Sequence, residues 1–276
     1  IGVSEKIQAY STLKDLVGRI IKSDIDLGTM MESMEKEEYE HLEIYYYKDM
    51  DSRPIDVVKR SFQKTEEIVE NICGKVEKDP VNVIFYNDRK TFINAFIGEE
   101  VGDLQGFYNP SSGIHINKFD VEASYSQIES LFRHEYAHHI SYIYKEENKT
   151  NPNLPAWFEE GLATYIGSEG MWEYSFSYIK DAGSLREIDT HAVFNKLSSQ
   201  IDYSEGAIYD PYMHGYYAVD YLVKEIGEDS IRKIILKTKD MDFYEVFEEI
   251  AGVDIDRFSE EVLIDYIETK SEETNR

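Results

Sequence analysis

His134-Glu135-Tyr136-Ala137-His138 is a stretch whose residue types and spacing point directly to chemistry, since it fits the pattern H-E-x-x-H. An α-helix turns once in about 3.6 residues, so the two histidines stand one above the other on a single face. Two imidazoles so placed can hold one Zn²⁺ ion at ~2.0–2.1 Å, with Glu135 beside them facing the water that such an ion binds. The surrounding residues have the period of that helix. Ile128, Phe132, Tyr136, Ile140 and Ile143 recur as an i, i+4 apolar stripe. Two residues of helix turn through about 200°, which sets the histidines opposite the stripe. One side of the helix goes to a core and the other faces a cleft.

A zinc hydrolase needs three protein ligands and an open fourth position. The segment Pro155-Ala156-Trp157-Phe158-Glu159-Glu160-Gly161-Leu162-Ala163 places an acidic pair on an apolar, helical stretch. A glutamate from such a second helix, packed on the first, is a natural third ligand.

H-E-x-x-H followed by W-x-x-E-G-x-A resembles the gluzincin metallopeptidases, most closely the aminopeptidase-N-like and related bacterial peptidases. In that family the glutamate before the glycine is the third zinc ligand, which corresponds to Glu160 and leaves Glu159 as its neighbour. The gap from His138 to Glu160, 22 residues, is slightly longer than in those enzymes. Pro211-Tyr212-Met213-His214-Gly215 is similar to the family's P-Y-x-x-G segment, whose tyrosine supports the oxyanion. The resemblance therefore implies zinc on His134, His138 and Glu160, Glu135 as general base and Tyr212 as oxyanion donor, acting on a peptide or protein substrate. It covers roughly residues 40 to 270. The position four after Glu160 is Thr164, where some thermolysin-like enzymes carry an acidic residue. The G-x-M-E-N segment that holds the substrate amine in aminopeptidases is not evident; Gly106-Phe107-Tyr108-Asn109 stands in its place. That departure favours an endopeptidase over an aminopeptidase. The alternative is a protein of zincin-like fold that acts as a binding or regulatory module.

Other residues near these motifs have plainer readings. Arg133 and His139 flank the motif and are not needed as ligands. His41, His115 and His191 have no spacing partner and read as structural or exposed. His214 reads as a substrate contact or a surface histidine, and Tyr209, Tyr216 and Tyr217 crowd the region of Tyr212.

The elements that must position these residues follow from the chain in order. Residues 1 to about 38 read as a helical segment, broken at Asp26-Leu27-Gly28. His41 to Tyr47 and Val81 to Tyr86 read as strands, with a helix from Pro54 to about Ile72 between them and Gly74 as its C-cap. A short helix follows at Arg89–Phe96. Gly102–Tyr108 and Gly113–Asn117 read as two more strands joined at Asn109-Pro110-Ser111-Ser112-Gly113. By the family resemblance, Gly106-Phe107-Tyr108 is the edge that pairs with an extended substrate; the alternative is an ordinary hairpin. After the polar loop Glu146–Asn153, Pro155 is placed at the first turn of the helix carrying Glu160. From Gly170 the pattern is helical. Asp210 caps a helix starting at Pro211 and running to about Ile226, followed by helices at Asp229–Lys237, Phe243–Ile250 and Asp256–Thr269, and a frayed end. Strands early and helices late give an α+β fold. The resemblance makes it zincin-like: a small mixed sheet, then a mostly helical subdomain, with the active-site helix between them. The expected domains are 1–38 and 39–270, the latter dividing near residue 147.

Composition bounds the partners. The 276 residues carry 29 basic and 55 acidic side chains, a net charge of −26. Such a field repels nucleic acid and anionic lipid, so neither is an expected partner. No run of about 18 apolar residues is present, so no membrane span is expected. The single cysteine, Cys73, excludes an intramolecular disulfide framework and lies in an apolar helical stripe, as a core residue would. The first residues, Ile1-Gly2 in place of Met, lead to the expectation of a removed upstream segment and of an exported or cell-surface bacterial protein.

Overall fold

A computed structural model describes residues 27–95, 104–119, 123–169 and 211–274. The chain divides into two compact units. Among the described residues, one holds those up to Asp56 and those within Asp79–Glu122; the other holds Val57–Lys78 and those from Ala123 on.

The first unit is built on a five-stranded mixed sheet of order β1-β2-β3-β5-β4. Its strands are β1 (Glu35–Tyr39), β2 (Leu42–Tyr46), β3 (Val81–Phe85), β4 (Gly106–Asn109) and β5 (Gly113–Ile116). β2, β3 and β5 run parallel, with β1 antiparallel on one edge and β4 on the other. Alternation decides the faces. Leu42 and Ile44 are buried while Glu43 and Tyr45 are half-exposed, as the sequence predicts. The turn into β5 requires glycine at Gly113, where φ is +105° and an added Cβ would lie 2.4 Å from the Asn82 carbonyl oxygen. A short helix, α1 (residues 27–32), and α3 (Arg89–Ala95) accompany the sheet. Leu27, Met30, Met31 and Met34 pack on a buried cluster that includes Ile84, Tyr86, Phe92 and Phe107.

The expected helix ending near Glu38 is corrected at its C-terminal end. Glu35–Tyr39 pair with β2 as a strand, in register Glu35–Tyr46 through Tyr39–Leu42. The charged residues Glu35, Lys36, Glu37 and Glu38 suit an edge strand, which needs only one neighbour and exposes most of its side chains. The part of that segment before residue 27 lies outside the described residues.

The second unit is helical. α2 (Arg53–Cys73), which belongs to it from Val57 on, ends at Gly74, whose φ of +111° and close approach to the Tyr144 ring exclude a side chain. α4 (Tyr125–Asn148) and α5 (Ala156–Ser168) carry the first two motifs. α6 (Pro211–Tyr221) begins at the expected proline and runs into a wider π-type turn, Leu222–Ile226. α7 (Ser230–Lys237), α8 (Phe243–Ala251), α9 (Ile255–Arg257), a second π-type turn (Phe258–Val262) and α10 (Leu263–Thr274) complete it. Several boundaries differ from expectation: the helix expected at Asp256–Thr269 is interrupted by the π-type turn Phe258–Val262, and, among the described residues, the strand expected at Gly102–Tyr108 forms only over Gly106–Asn109. α4 extends to Asn148, where Lys149 turns left-handed at φ 55°, and α10 runs to Thr274, into the segment expected to fray. The expected helices of 170–210, and the Asp210 cap, lie outside the described residues. Cys73 is buried in this unit, and burial pushes its thiol up to about 12. No helix among the described residues is long and apolar enough to cross a membrane.

Candidate metal centre

α4 is started by its own sequence. Ser124 Oγ accepts from the Gln127 amide at 3.2 Å, and the Gln127 side chain accepts from the Ser124 amide at 2.7 Å, a complete capping box. The apolar stripe then sets the helix's rotation. Ile128, Phe132, Tyr136 and Ile140 are buried, with Phe62 of α2 edge-on to Tyr136 at 5.5 Å. His134 and His138, on the other side, remain partly exposed.

The two His Nε2 atoms stand 3.2 Å apart. Oε2 of Glu160 on α5 lies 3.3 Å from each of them. Three lone-pair atoms at these separations form a nearly equilateral triangle. Around an ion with bonds of ~2.0 Å, tetrahedral ligand atoms stand ~3.3 Å apart, so the triangle has the dimensions of one face of such a site. These three residues form a group able to hold a metal ion. Their electrostatics are mutual. Burial pushes the Glu160 carboxyl upward, but His138 and His134 outweigh it and hold the group well below the usual carboxylate range. Burial lowers His138, while Glu160 and then Glu159 raise it to a net increase. A negative carboxylate facing two imidazoles is the charge pattern a divalent cation would complete.

Close helix packing delivers Glu160 and Tyr212. At the crossing of α5 and α6, a Cβ on Gly161 would lie 2.3 Å from the Gly215 carbonyl carbon, and one on Gly215 only 2.1 Å from the Trp157 oxygen. The two backbones touch, so both positions must be glycine. Gly167, further along α5, sits less tightly against α4, where an added Cβ would lie 3.0 Å from the Ser130 carbonyl oxygen and 3.4 Å from His134 Cβ. The crossing brings the half-buried Tyr212 ring to 5.8 Å from the His134 ring. Trp157 is fully buried, edge-on to Phe243 and Phe247 of α8.

Glu135, between the two histidines in sequence, is buried and outside the triangle. Arg133 is fully buried, pairs with Glu129 and donates from Nη1 to the Glu169 carbonyl at 2.7 Å, holding the end of α5. His139 is buried beside Tyr136, and burial lowers it to about 4. His214 is buried at 1% exposure, which corrects its reading as a surface histidine; it lies on the helix beside the Gly161–Gly215 crossing. Thr164 is also buried, and its hydroxyl finds no hydrogen-bond partner among the described residues. His115 belongs to the other unit, where its ring nitrogens meet Tyr86 Oη and Ser112 Oγ, each at 2.8 Å. His191 and Tyr209 lie outside the described residues.

The role of the two glycines was available in the motifs E-G-x-A and P-Y-x-x-G, although nothing in one sequence pairs them. Lys145 carried no signal of its own. It is buried in the last turn of α4 and pairs with Glu159.

No family model matches this chain, and no curated protein matches it.

Proposed function

We propose that this chain is a zinc-dependent peptidase of the gluzincin type, with a zincin-like arrangement of sheet, active-site helix and helical subdomain. The observation that carries the reading is the His134–His138–Glu160 triangle, with separations of 3.2 and 3.3 Å, from the two segments that resemble the family's ligand motifs. Zinc, when bound there, supplies a Lewis acid that polarises a carbonyl and brings the pKa of water down toward ~7.

The chain's own residues do the rest. His134 and His138 bind through Nε2 as neutral imidazoles, and Glu160 contributes the negative charge. Glu135 is buried and so keeps a weakly hydrated carboxylate. It accepts the proton of the attacking water and delivers it to the departing amine. Tyr212, held beside His134, donates from Oη to the oxyanion formed when the carbonyl is attacked. The reading favours an endopeptidase, since no acidic segment for a substrate amine stands at Gly106–Asn109.

The test is cleavage of a mixed peptide library by the wild-type chain and by Glu135→Gln. Glu135→Gln is expected to keep its metal and lose turnover by ~10²–10⁴-fold, the usual contribution of a general base. Retained turnover would remove Glu135 from its role. Metal binding with no cleavage of any peptide would favour a binding or regulatory module.

A further inference from the structure

We infer that Lys145 is a positioning residue for the metal centre: by holding Glu159 it fixes the rotation of α5 that brings Glu160 to His134 and His138. The inference rests on the metal reading above and extends it to a residue outside the triangle.

Lys145 follows His138 by seven residues, close to two full helical turns, so α4 presents His134, His138 and Lys145 along one face. α5 answers with consecutive carboxylates, Glu160 to the histidines and Glu159 to the lysine. The Lys145 ammonium also donates to the Pro152 carbonyl at 3.3 Å, in the connection between the two helices. One buried cation therefore ties together the end of α4, the connection and the first turn of α5.

The geometry explains why this matters for Glu160. Neighbouring side chains are ~100° apart around a helix, so anchoring Glu159 fixes the direction of Glu160. Side chains reach ~5–6 Å from the helix axis, so a rotation of ~10° moves a carboxylate by ~1 Å. A working ligand set tolerates only about half of that. Gly161, the next residue, is held against Gly215. Glu159, Glu160 and Gly161 thus fix α5 to the lysine, the histidines and α6 in turn. A second consequence concerns selectivity among ligands. Glu159 is a carboxylate adjacent to the true ligand, and its pairing with Lys145 keeps it from competing for the ion. Two helices could be joined as firmly by an apolar pair, because a buried ion pair is a weak source of stability. Its directionality is what an apolar pair lacks.

The experiment is zinc affinity by competition with a chelator, together with the visible spectrum of the Co²⁺-loaded protein. Both are measured for wild type, Lys145→Met, Lys145→Arg and Glu159→Gln. Lys145→Met is expected to weaken zinc binding at least about tenfold, near 1.4 kcal/mol, and to change the Co²⁺ bands. Lys145→Arg, which can still pair with Glu159, should recover most of both. Should Lys145→Met fail to fold, Glu159→Gln must show the same spectral change at smaller amplitude. Wild-type protein that takes up no metal would overturn the metal reading and this inference together. Wild-type binding with unchanged affinity and spectrum in the folded variants would overturn this inference alone.

Discussion

Tyr212 shows how much a single side chain can carry at this site and how its role is separated from that of its neighbours. The chain has 22 tyrosines, and most of those near Tyr212 serve packing: Tyr216 and Tyr217 are buried and set edge to face at 5.3 Å. Tyr212 differs in being half-buried with its ring beside His134. If it donates to the oxyanion, Tyr212→Phe lowers kcat by roughly 10²–10³ and leaves metal content intact. Steady-state kinetics on a peptide substrate decide this, and an unchanged kcat would return Tyr212 to a packing role. The stacking of His134 over His138 was legible from spacing alone, because a five-residue helical motif specifies its own geometry. Glu160 and Tyr212 lie on other helices: the acidic pair Glu159-Glu160 stood out as a source of a third ligand, but only the resemblance to known motifs singled out Glu160 within it and Tyr212. His214 could not be placed from sequence. Its burial depends on the crossing of α5 with α6, a contact between residues far apart in the chain.

At the scale of elements, the site depends on two contacts between helix backbones. Gly161→Ala would place a methyl group 2.3 Å from the Gly215 carbonyl carbon, closer than any packing tolerates. Overpacking of this kind costs about 1–3 kcal/mol, which at ~2–4 °C per kcal/mol lowers the melting temperature by several degrees. The same variant should lose zinc affinity, since α5 must move away from α6 and carries Glu160 with it. A melting curve and a zinc titration that match wild type would contradict the close crossing. The elements themselves were largely readable. Leu42, Glu43 and Ile44 alternate as a half-buried strand must, and the α4 stripe has a clear helical period. β1 was the failure. Residues Glu35–Glu38 have no apolar alternation, and they form a strand because β2 offers them a pairing edge, a tertiary effect that local pattern does not contain. The end of α4 was missed for a related reason. Its last turns are polar, but Lys145 is drawn inward by Glu159 on α5.

At the scale of the whole molecule, charge and burial govern the response to acid. His115 is held neutral inside the first unit, burial lowering it to about 3, and His139 inside the second, to about 4. An unfolded histidine titrates near ~6.5, so between that pH and the folded values the unfolded chain binds more protons. Stability from these groups is therefore complete above pH ~6.5 and is lost as pH falls, at up to about 1.4 kcal/mol per pH unit for each group. Denaturant titrations at pH 7.5, 6 and 5 should show falling midpoints, and the imidazole NMR signals of His115 and His139 should stay unshifted over that range. A histidine signal that titrates near 6.5 in the folded protein would contradict its burial. The net charge of −26 adds to solubility without naming a substrate. The metal centre is tested by the zinc content of freshly purified protein, measured by mass spectrometry beside a Glu160→Ala variant. One zinc per chain is expected in the wild type and none in the variant; wild-type protein that stays metal-free after reconstitution with zinc would rule out the His134–His138–Glu160 site.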